Sequence, residues 1–363
     1  MAIKNADKAY VMRGPLFAAA NGRMGFYSFY DQIFLNADVE KRYLIKGGPG
    51  TGKSTFMRTV AERAEVVGVP VEYYRCSSDA DSLDAVVIGG RVALLDATSP
   101  HSIEPDATGA VDELIDLGIF WDTVRLEGKK DEIKRLSEAK SRCYRQAYRF
   151  LFAAGQVRDA SDMIVAPYVN KEKMKKTAQS MVRRLPRGNG YRLKIGLCNS
   201  LGMRGIRRFD TYERSAKHVV LIKDRYGLGA AFLSMLAEAA VWQGLSIRVS
   251  YDPVDTTRPD ALLFEDVGVA YVVENSDHVS AESTLNTGRF IDISGRDKRR
   301  EREEYKASRG LYDGLVESAA DFLRQAGEYH FELEEIYKEC VDFDAQSRFC
   351  ASFSEKVVAG LAR

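Results

Sequence analysis

The stretch 47–55 reads GGPGTGKST and fits the pattern G-x-x-x-x-G-K-[ST] in full. Glycines at 47, 48, 50 and 52 let the backbone curl until successive amide N–H groups face one concave space. A helix starting at Lys53 would add its partial positive charge at the same point. That combination suits a polyphosphate. In such chemistry Gly48, Pro49, Gly50, Thr51 and Gly52 form the cradle, Lys53 reaches the β- and γ-phosphates, and Ser54 offers its hydroxyl to Mg²⁺. Thr55 is placed for the α-phosphate.

A phosphate-bound Mg²⁺ also needs a ligand from a neighbouring strand. The run VALLD ends in Asp96, 43 residues after Lys53, which leaves room for a helix, a strand, a connection and a second strand. Lys53 and Asp96 are therefore the expected catalytic pair, and Ser54 and Asp96 the expected metal ligands. The competing role for Asp96 is to cap a turn with Thr98 or Ser99. Ala97 follows it, where many ATPases carry a glutamate that activates water. Any such base must come from elsewhere. Asp79, Asp81 and Asp84 crowd the segment CSSDADSLD and could orient water or metal, or cap a short helix near Ser82. His101 could sense a γ-phosphate or carry a proton.

The elements that position these residues follow from periodicity. An apolar run near 42–46 reads as a buried strand ahead of the glycine-rich turn. Phe56, Met57, Val60, Ala61, Ala64 and Val67 recur at helical spacing, and Gly68 suits the helix end. VPVEYY (69–74) alternates as a strand does, and RVALLD (91–96) is a further apolar run. Strands alternating with a helix predict an α/β parallel sheet. From about 122 to 184 the chain turns charged and helix-favouring, which predicts one or two amphipathic helices. Its basic stretch 129–142 reads as a solvated helix face in preference to a lid.

The chain then repeats itself. LIKGGPGTG (44–52) is matched by LIKDRYGLG (221–229). Gly22, Gly25 and Phe29 match Gly202, Gly205 and Phe209. LDAVVI (83–88) matches PDALLF (259–264), and FLFAAGQVRDASDMI (150–164) matches FLRQAGEYHFELEEI (322–336). His278 stands where His101 stands. The expected organisation is two tandem α/β domains, each with an appended helical segment. Residues 1–190 carry the intact loop and residues 191–363 a degenerate one, with a turn-rich boundary near 185–194. In the second copy Ala230, Ala231 and Phe232 replace Lys53, Ser54 and Thr55, and Asp224 would repel phosphate. Losing the lysine alone costs on the order of 2–5 kcal/mol of phosphate binding. One competent site per chain is expected, with the second half structural or regulatory. Arg204, Arg207, Arg208, Arg225 and Arg258 are the candidates for a cation supplied across the halves.

The composition narrows the partners. With 53 basic and 52 acidic side chains the net charge is +1, so coating nucleic acid or an anionic membrane is not the expected task. The basic clusters at 171–176 and 297–303 are interleaved with acids or flanked by them and lack stacking aromatics. Five scattered cysteines without a CxxC pair argue against a disulfide scaffold or a cysteine-rich zinc site. No apolar leader or spanning run is visible, so a cytoplasmic protein is expected.

The segments KGGPGTGKST, CSSDADSLDAVVI, LLDATSPHSIEP and AGEYHFELEEIY together resemble a poorly characterised bacterial family of tandem P-loop ATPase-like proteins. The resemblance implies two P-loop NTPase-like domains, nucleotide binding and ATPase activity. Members often keep both loops intact, so Ala230 and Ala231 depart from the pattern. The expected function is Mg²⁺-dependent ATP binding and hydrolysis at one site. A P-loop kinase of small molecules or nucleotides, and a non-catalytic nucleotide-sensing scaffold, remain as alternatives. A homodimer or another protein partner is left open.

Overall fold

The computed structural model describes residues 12–35, 38–274, 281–292 and 297–361; His278 lies outside them. The first half runs β1 (Leu16–Phe17), β2 (Ala19–Gly22), β3 (Gly25–Ser28), α1 (Tyr30–Phe34), β4 (Lys41–Lys46), α2 (Lys53–Val66), β5 (Val71–Arg75), β6 (Leu83–Ile88), β7 (Val92–Asp96) and β8 (Asp112–Asp116). It continues with α3 (Thr123–Gly128), α4 (Lys130–Val165) and α5 (Lys171–Arg183). The second half repeats the order. It has β9 (Leu193–Ile195), β10 (Asn199–Gly202), β11 (Gly205–Arg208), α6 (Thr211–Ser215), β12 (His218–Lys223), α7 (Gly229–Gln243), β13 (Ile247–Tyr251) and β14 (Pro259–Phe264). Then come β15 (Val269–Val273), β16 (Ser283–Asn286), α8 (Asp297–Lys338) and α9 (Phe343–Leu361).

Among the described residues each half builds one six-stranded sheet, in the order β1-β5-β6-β7-β4-β8 and its counterpart β9-β13-β14-β15-β12-β16. The sheets are mixed, where the spacing predicted parallel ones: β6 is antiparallel to β5 and β7, and β14 to β13 and β15. The run LDAVVI is buried along its whole length. Both its faces are covered, so its side-chain pattern carries no sign of direction. It also replaces the short helix considered near Ser82; a turn closed by Ser82 N–H donating to Asp79 O leads straight into β6. In α2 the buried stripe is Phe56, Met57, Val60, Ala61 and Ala64, and Gly68 takes φ +82° just past the helix end.

The reversed strand has a consequence for placement. The start of β6 lies at the same edge as the ends of β4, β5 and β7. Segments 47–55, 76–84 and 96–101 therefore meet along one margin of the sheet, where loops of an open α/β sheet gather functional side chains.

The two halves exchange their last helices. Long α4 and α8 pack antiparallel, with Leu136 against Leu333 and Ile336, and Ala147, Leu151 and Ala154 among Tyr312, Val316, Ala319 and Leu323. Beyond that pair, Met174, Ala178 and Val182 of α5 join Phe232, Leu233 and Leu236 of the second half's α7. Cys350, Phe353 and Val357 of α9 join Phe56, Met57 and Val60 of the first half's α2. Burying side chains of this size stabilises by about 1.5–3 kcal/mol each, so each sheet is completed by the other half's final helix. The β-hairpins cross over as well: Met203 N–H donates to Ser78 O at 2.7 Å, and Arg23 N–H to Val254 O at 2.7 Å.

Phe17 and its counterpart Leu197 exchange both backbone hydrogen bonds, at 2.8 and 2.9 Å, as two equivalent residues do beside a two-fold axis. A shared core surrounds them, combining Phe17, Tyr74 and Ala85 with Leu197, Tyr212 and Leu263. Among the described residues no helix is long and apolar enough to cross a membrane.

Candidate functional site

Lys53 is the first residue of α2, and the loop before it bends at Gly50 (φ +67°) and Gly52 (φ +83°). Both values lie in the left-handed region, where a Cβ is strained. The Lys53 ammonium folds back onto the loop, donating to the carbonyls of Gly48 at 2.8 Å and Gly47 at 3.1 Å. Asp96 Oδ2 lies 3.5 Å from the same Nζ. This pairing follows from strand register: Asp96 sits opposite Ile45 in the β4–β7 ladder, one residue from the loop. Asp96 also does the capping job, its Oδ1 accepting from Thr98 N–H at 2.8 Å. Burial pushes the Asp96 carboxyl upward in pKa, against the opposing field of Lys53.

The remaining loop residues fall into place around this pair. Thr51 Oγ1 donates to Gly48 O at 2.8 Å, and Thr98 Oγ1 to Gly47 O at 3.1 Å. Ser54 Oγ accepts from Leu83 N–H at 3.0 Å, tying α2 to the start of β6. Pro49 is half-buried at the loop tip and Thr55 is exposed.

The outer face of the loop is covered by the other half. A Cβ on Gly48 would come within 2.8 Å of the Tyr337 ring, and one on Gly50 within 2.7 Å of the Glu334 carbonyl. A Cβ on Gly52 would come within 2.8 Å of Gln346 Nε2. That amide nitrogen donates to Thr51 O at 3.0 Å. Lys140 of α4 approaches from the same half as the loop. Burial holds its pKa down, the positive field of Lys53 adds to this, and Glu334 opposes it.

The other acidic candidates separate. Asp79 closes the turn before β6, accepting from Ser82 Oγ at 2.8 Å. Asp81 is exposed and pairs with Arg204 at 3.0 Å. Asp84 is buried, with His101 Nε2 3.0 Å from its Oδ2. Of the five arginines considered for a contact across the halves, Arg204 makes one to the first half's 79–81 segment. Arg208 pairs with Glu213, Arg207 lies over Phe209, and Arg225 N–H donates to Thr287. Arg258 also crosses, pairing with Asp162 of the first half's α4 beside the second loop. The basic stretch 129–142 buries Leu136 and Ala139 and forms part of the α4–α8 packing.

The second loop is built differently. Asp224 stands where Gly47 stands, and its Oδ1 accepts from the first amide of α7, Gly229 N–H, at 2.9 Å. The loop supplies its own carboxylate to the helix terminus. A crevice of about 690 Å³ opens beside it, lined by Arg158, Asp224, Ala230, Arg258, Asp260 and Tyr305 among others. In the first half the repeat equivalents of the crevice-lining Val316 and Ala320 are Tyr144 and Tyr148, whose hydroxyls donate to Ser78 Oγ and Asn21 Oδ1 at 2.9 and 3.0 Å.

Sequence reasoning missed Lys140, Tyr337, Gln346 and Cys76. For the helix residues the repeat holds a partial signal. Its offset aligns Asp162 with Glu334, and these lie against the equivalent glycines Gly227 and Gly50. Comparison with protein-family models, with curated proteins and with solved structures gave no match.

Proposed function

We propose that loop 47–55 binds a Mg²⁺-bound nucleoside triphosphate, ATP first among them, and that the chain hydrolyses it at this single site. Each half is then a P-loop NTPase-like domain. The 3.5 Å approach of Asp96, at the end of β7, to Lys53, just past the end of the adjacent β4, carries this reading. Lys53 spends its charge on two carbonyls of its own loop, and phosphate oxygens are better partners for an ammonium group. Positive φ at Gly50 and Gly52 gives the loop the curl that turns amides inward. Ser54 and Asp96 would hold Mg²⁺, which neutralises charge developing on the phosphates.

The self-supplied carboxylate of Asp224 supports a second half that binds no nucleotide. The exchanged helices give that half a role. Tyr337, Glu334 and Gln346 touch the loop directly, so a ligand that reshapes the loop acts on α8 and α9. A reading without turnover, as a nucleotide-sensing scaffold, draws on Ala97, where a water-activating carboxylate would stand. Steady-state phosphate release separates the two.

Titration calorimetry tests the core of the proposal. The expected result is one Mg·ATP per chain and no saturable binding by Lys53→Ala. Wild-type affinity in that variant, or two nucleotides per chain, overturns it. Asp96→Asn should keep some binding and lose Mg²⁺-dependent turnover.

A further inference from the structure

Cys76 follows β5, Asp84 is the second residue of β6, and His101 lies five residues past the end of β7. Antiparallel β6 brings all three to one sheet edge. One ligand atom from each lies within 4.8 Å of the other two. His101 and Asp84 are 7% and 3% exposed. Asp84 Oδ2 is 3.0 Å from His101 Nε2, yet it makes no hydrogen bond, and His101 Nδ1 is likewise buried without a partner. A bound cation would give the Asp84 oxygen the partner it lacks, on the Nε2 side of the imidazole; Nδ1 lies on the other side of the ring. A carboxylate oxygen and an imidazole nitrogen held close, but out of hydrogen-bond alignment, are poised to face a common point. Tyr30 stacks on the imidazole at 4.7 Å and Phe26 meets it edge-on at 4.9 Å, which fixes the ring plane.

We propose that Cys76, Asp84 and His101 bind one divalent transition-metal ion of the Zn²⁺ class. Thiolate, imidazole and carboxylate are the ligand types such an ion takes, at about 2.0–2.3 Å, with a fourth position left for water. Those bond lengths ask for ligand atoms roughly 3–4 Å apart, and the three atoms already lie within 4.8 Å of one another. Binding releases the thiol proton to solvent, together with the imidazolium proton when His101 carries one. The second half provides an internal contrast. Asp252 and Asp260 occupy the places of Cys76 and Asp84 in the equivalent strand registers. There Asp252 is neutralised by Arg158 at 3.0 Å. A guanidinium supplies in one half the positive charge that a metal ion supplies in the other.

The inference does not depend on nucleotide binding, and its test needs none. Metal-free full-length protein is titrated with Co²⁺ and followed by absorbance. The expected result is one equivalent per chain with a near-ultraviolet thiolate-to-cobalt charge-transfer band, displaced by Zn²⁺. Cys76→Ser should remove the band. His101→Ala and Asp84→Asn should each weaken binding by more than the roughly 10–100-fold typical of outer-shell partners. Lys53→Ala should keep the one-equivalent stoichiometry and the charge-transfer band. Should a variant fail to fold, Zn²⁺ protection of Cys76 from alkylation in the wild-type chain, read by mass spectrometry, replaces it. The absence of saturable Co²⁺ and Zn²⁺ binding by the folded wild-type protein overturns the proposal. So does a charge-transfer band that survives Cys76→Ser.

Discussion

Gln346 Nε2 donates to the carbonyl of Thr51 at 3.0 Å, so the last helix of the second half holds the loop of the first. The bond spans 295 residues of sequence. It exists because α9 lies on α2, where Phe353 packs against Phe56 and Tyr43 at ring separations of 5.2 and 4.8 Å.

The exchange predicts that the halves do not fold apart. Residues 1–190 expressed alone lack α9 and leave the α2 face bare, while residues 191–363 lack α5 and expose α7. Each fragment should give a broad, non-cooperative thermal transition by circular dichroism and rapid proteolysis. Mixing the two should restore a cooperative transition. Independent, cooperative melting of 1–190 would show that the crossed helices are dispensable.

Arg248 is the polar tie between the sheets. Its guanidinium reaches Glu72 of β5 at 3.0 Å and Glu265 at 2.8 Å, and its side chain is 4% exposed. Burial pushes the Glu72 carboxyl up, but the field and hydrogen bonds of Arg248 outweigh it and hold the pKa below the usual value. Removing one member of a buried ion pair leaves its partner uncompensated, at a cost of about 3–5 kcal/mol. Arg248→Met should lower unfolding stability by that order in urea. A loss below about 1 kcal/mol would make the network peripheral.

Acid sensitivity should centre on Asp112. Arg42 and Asp112 face each other in the β4–β8 ladder, with Nε 2.5 Å from Oδ1 and Nη2 3.0 Å from Oδ2. Hydrogen bonding to Arg42 lowers the carboxyl to about 2, below the usual value near 3.8. A depressed carboxylate stabilises the fold above its unfolded pKa and loses that contribution as pH falls through the folded one. The window is therefore about pH 4 down to pH 2, and the size about 2 kcal/mol. Urea midpoints across that range should fall in the wild type. In Asp112→Asn the midpoint should be low already at neutral pH and its decline flatter. An unchanged slope would assign the acid limb to other carboxylates.

The loop and its lysine were legible because GGPGTGKST constrains backbone and charge together, and Asp96 because a strand end falls at the right distance. The repeat was legible because two copies of one strand order keep the same apolar runs. The direction of β6 was not, since LDAVVI is buried on both faces and alternation is lost. The crossed helices were not legible either. Amphipathic spacing in α5 and α9 says that one face is covered, and nothing in the spacing of Met174, Ala178 and Val182 says by which half. Gln346 was missed for that reason, since its neighbour is set by the crossing; Lys140 was missed because the charged stretch 129–142 reads as a solvated face.

Lys140 offers the sharpest separation of function from fold. It is half-buried on α4, its pKa is held down by burial and by Lys53, and among the described residues it makes no salt bridge. The two ammonium groups oppose each other's charge, an opposition that a bound anion would relieve. Removing one should then cost the empty protein almost nothing, within about 0.5 kcal/mol. It should weaken a bound triphosphate by about tenfold, which corresponds to about 1.4 kcal/mol. Lys140→Ala is expected to melt with the wild type in the absence of nucleotide and to show that loss by calorimetry. Lys140→Arg should retain most of the affinity. A variant that loses several kcal/mol of stability while binding Mg·ATP normally would make Lys140 a packing residue and leave Lys53 as the cation that meets the phosphates.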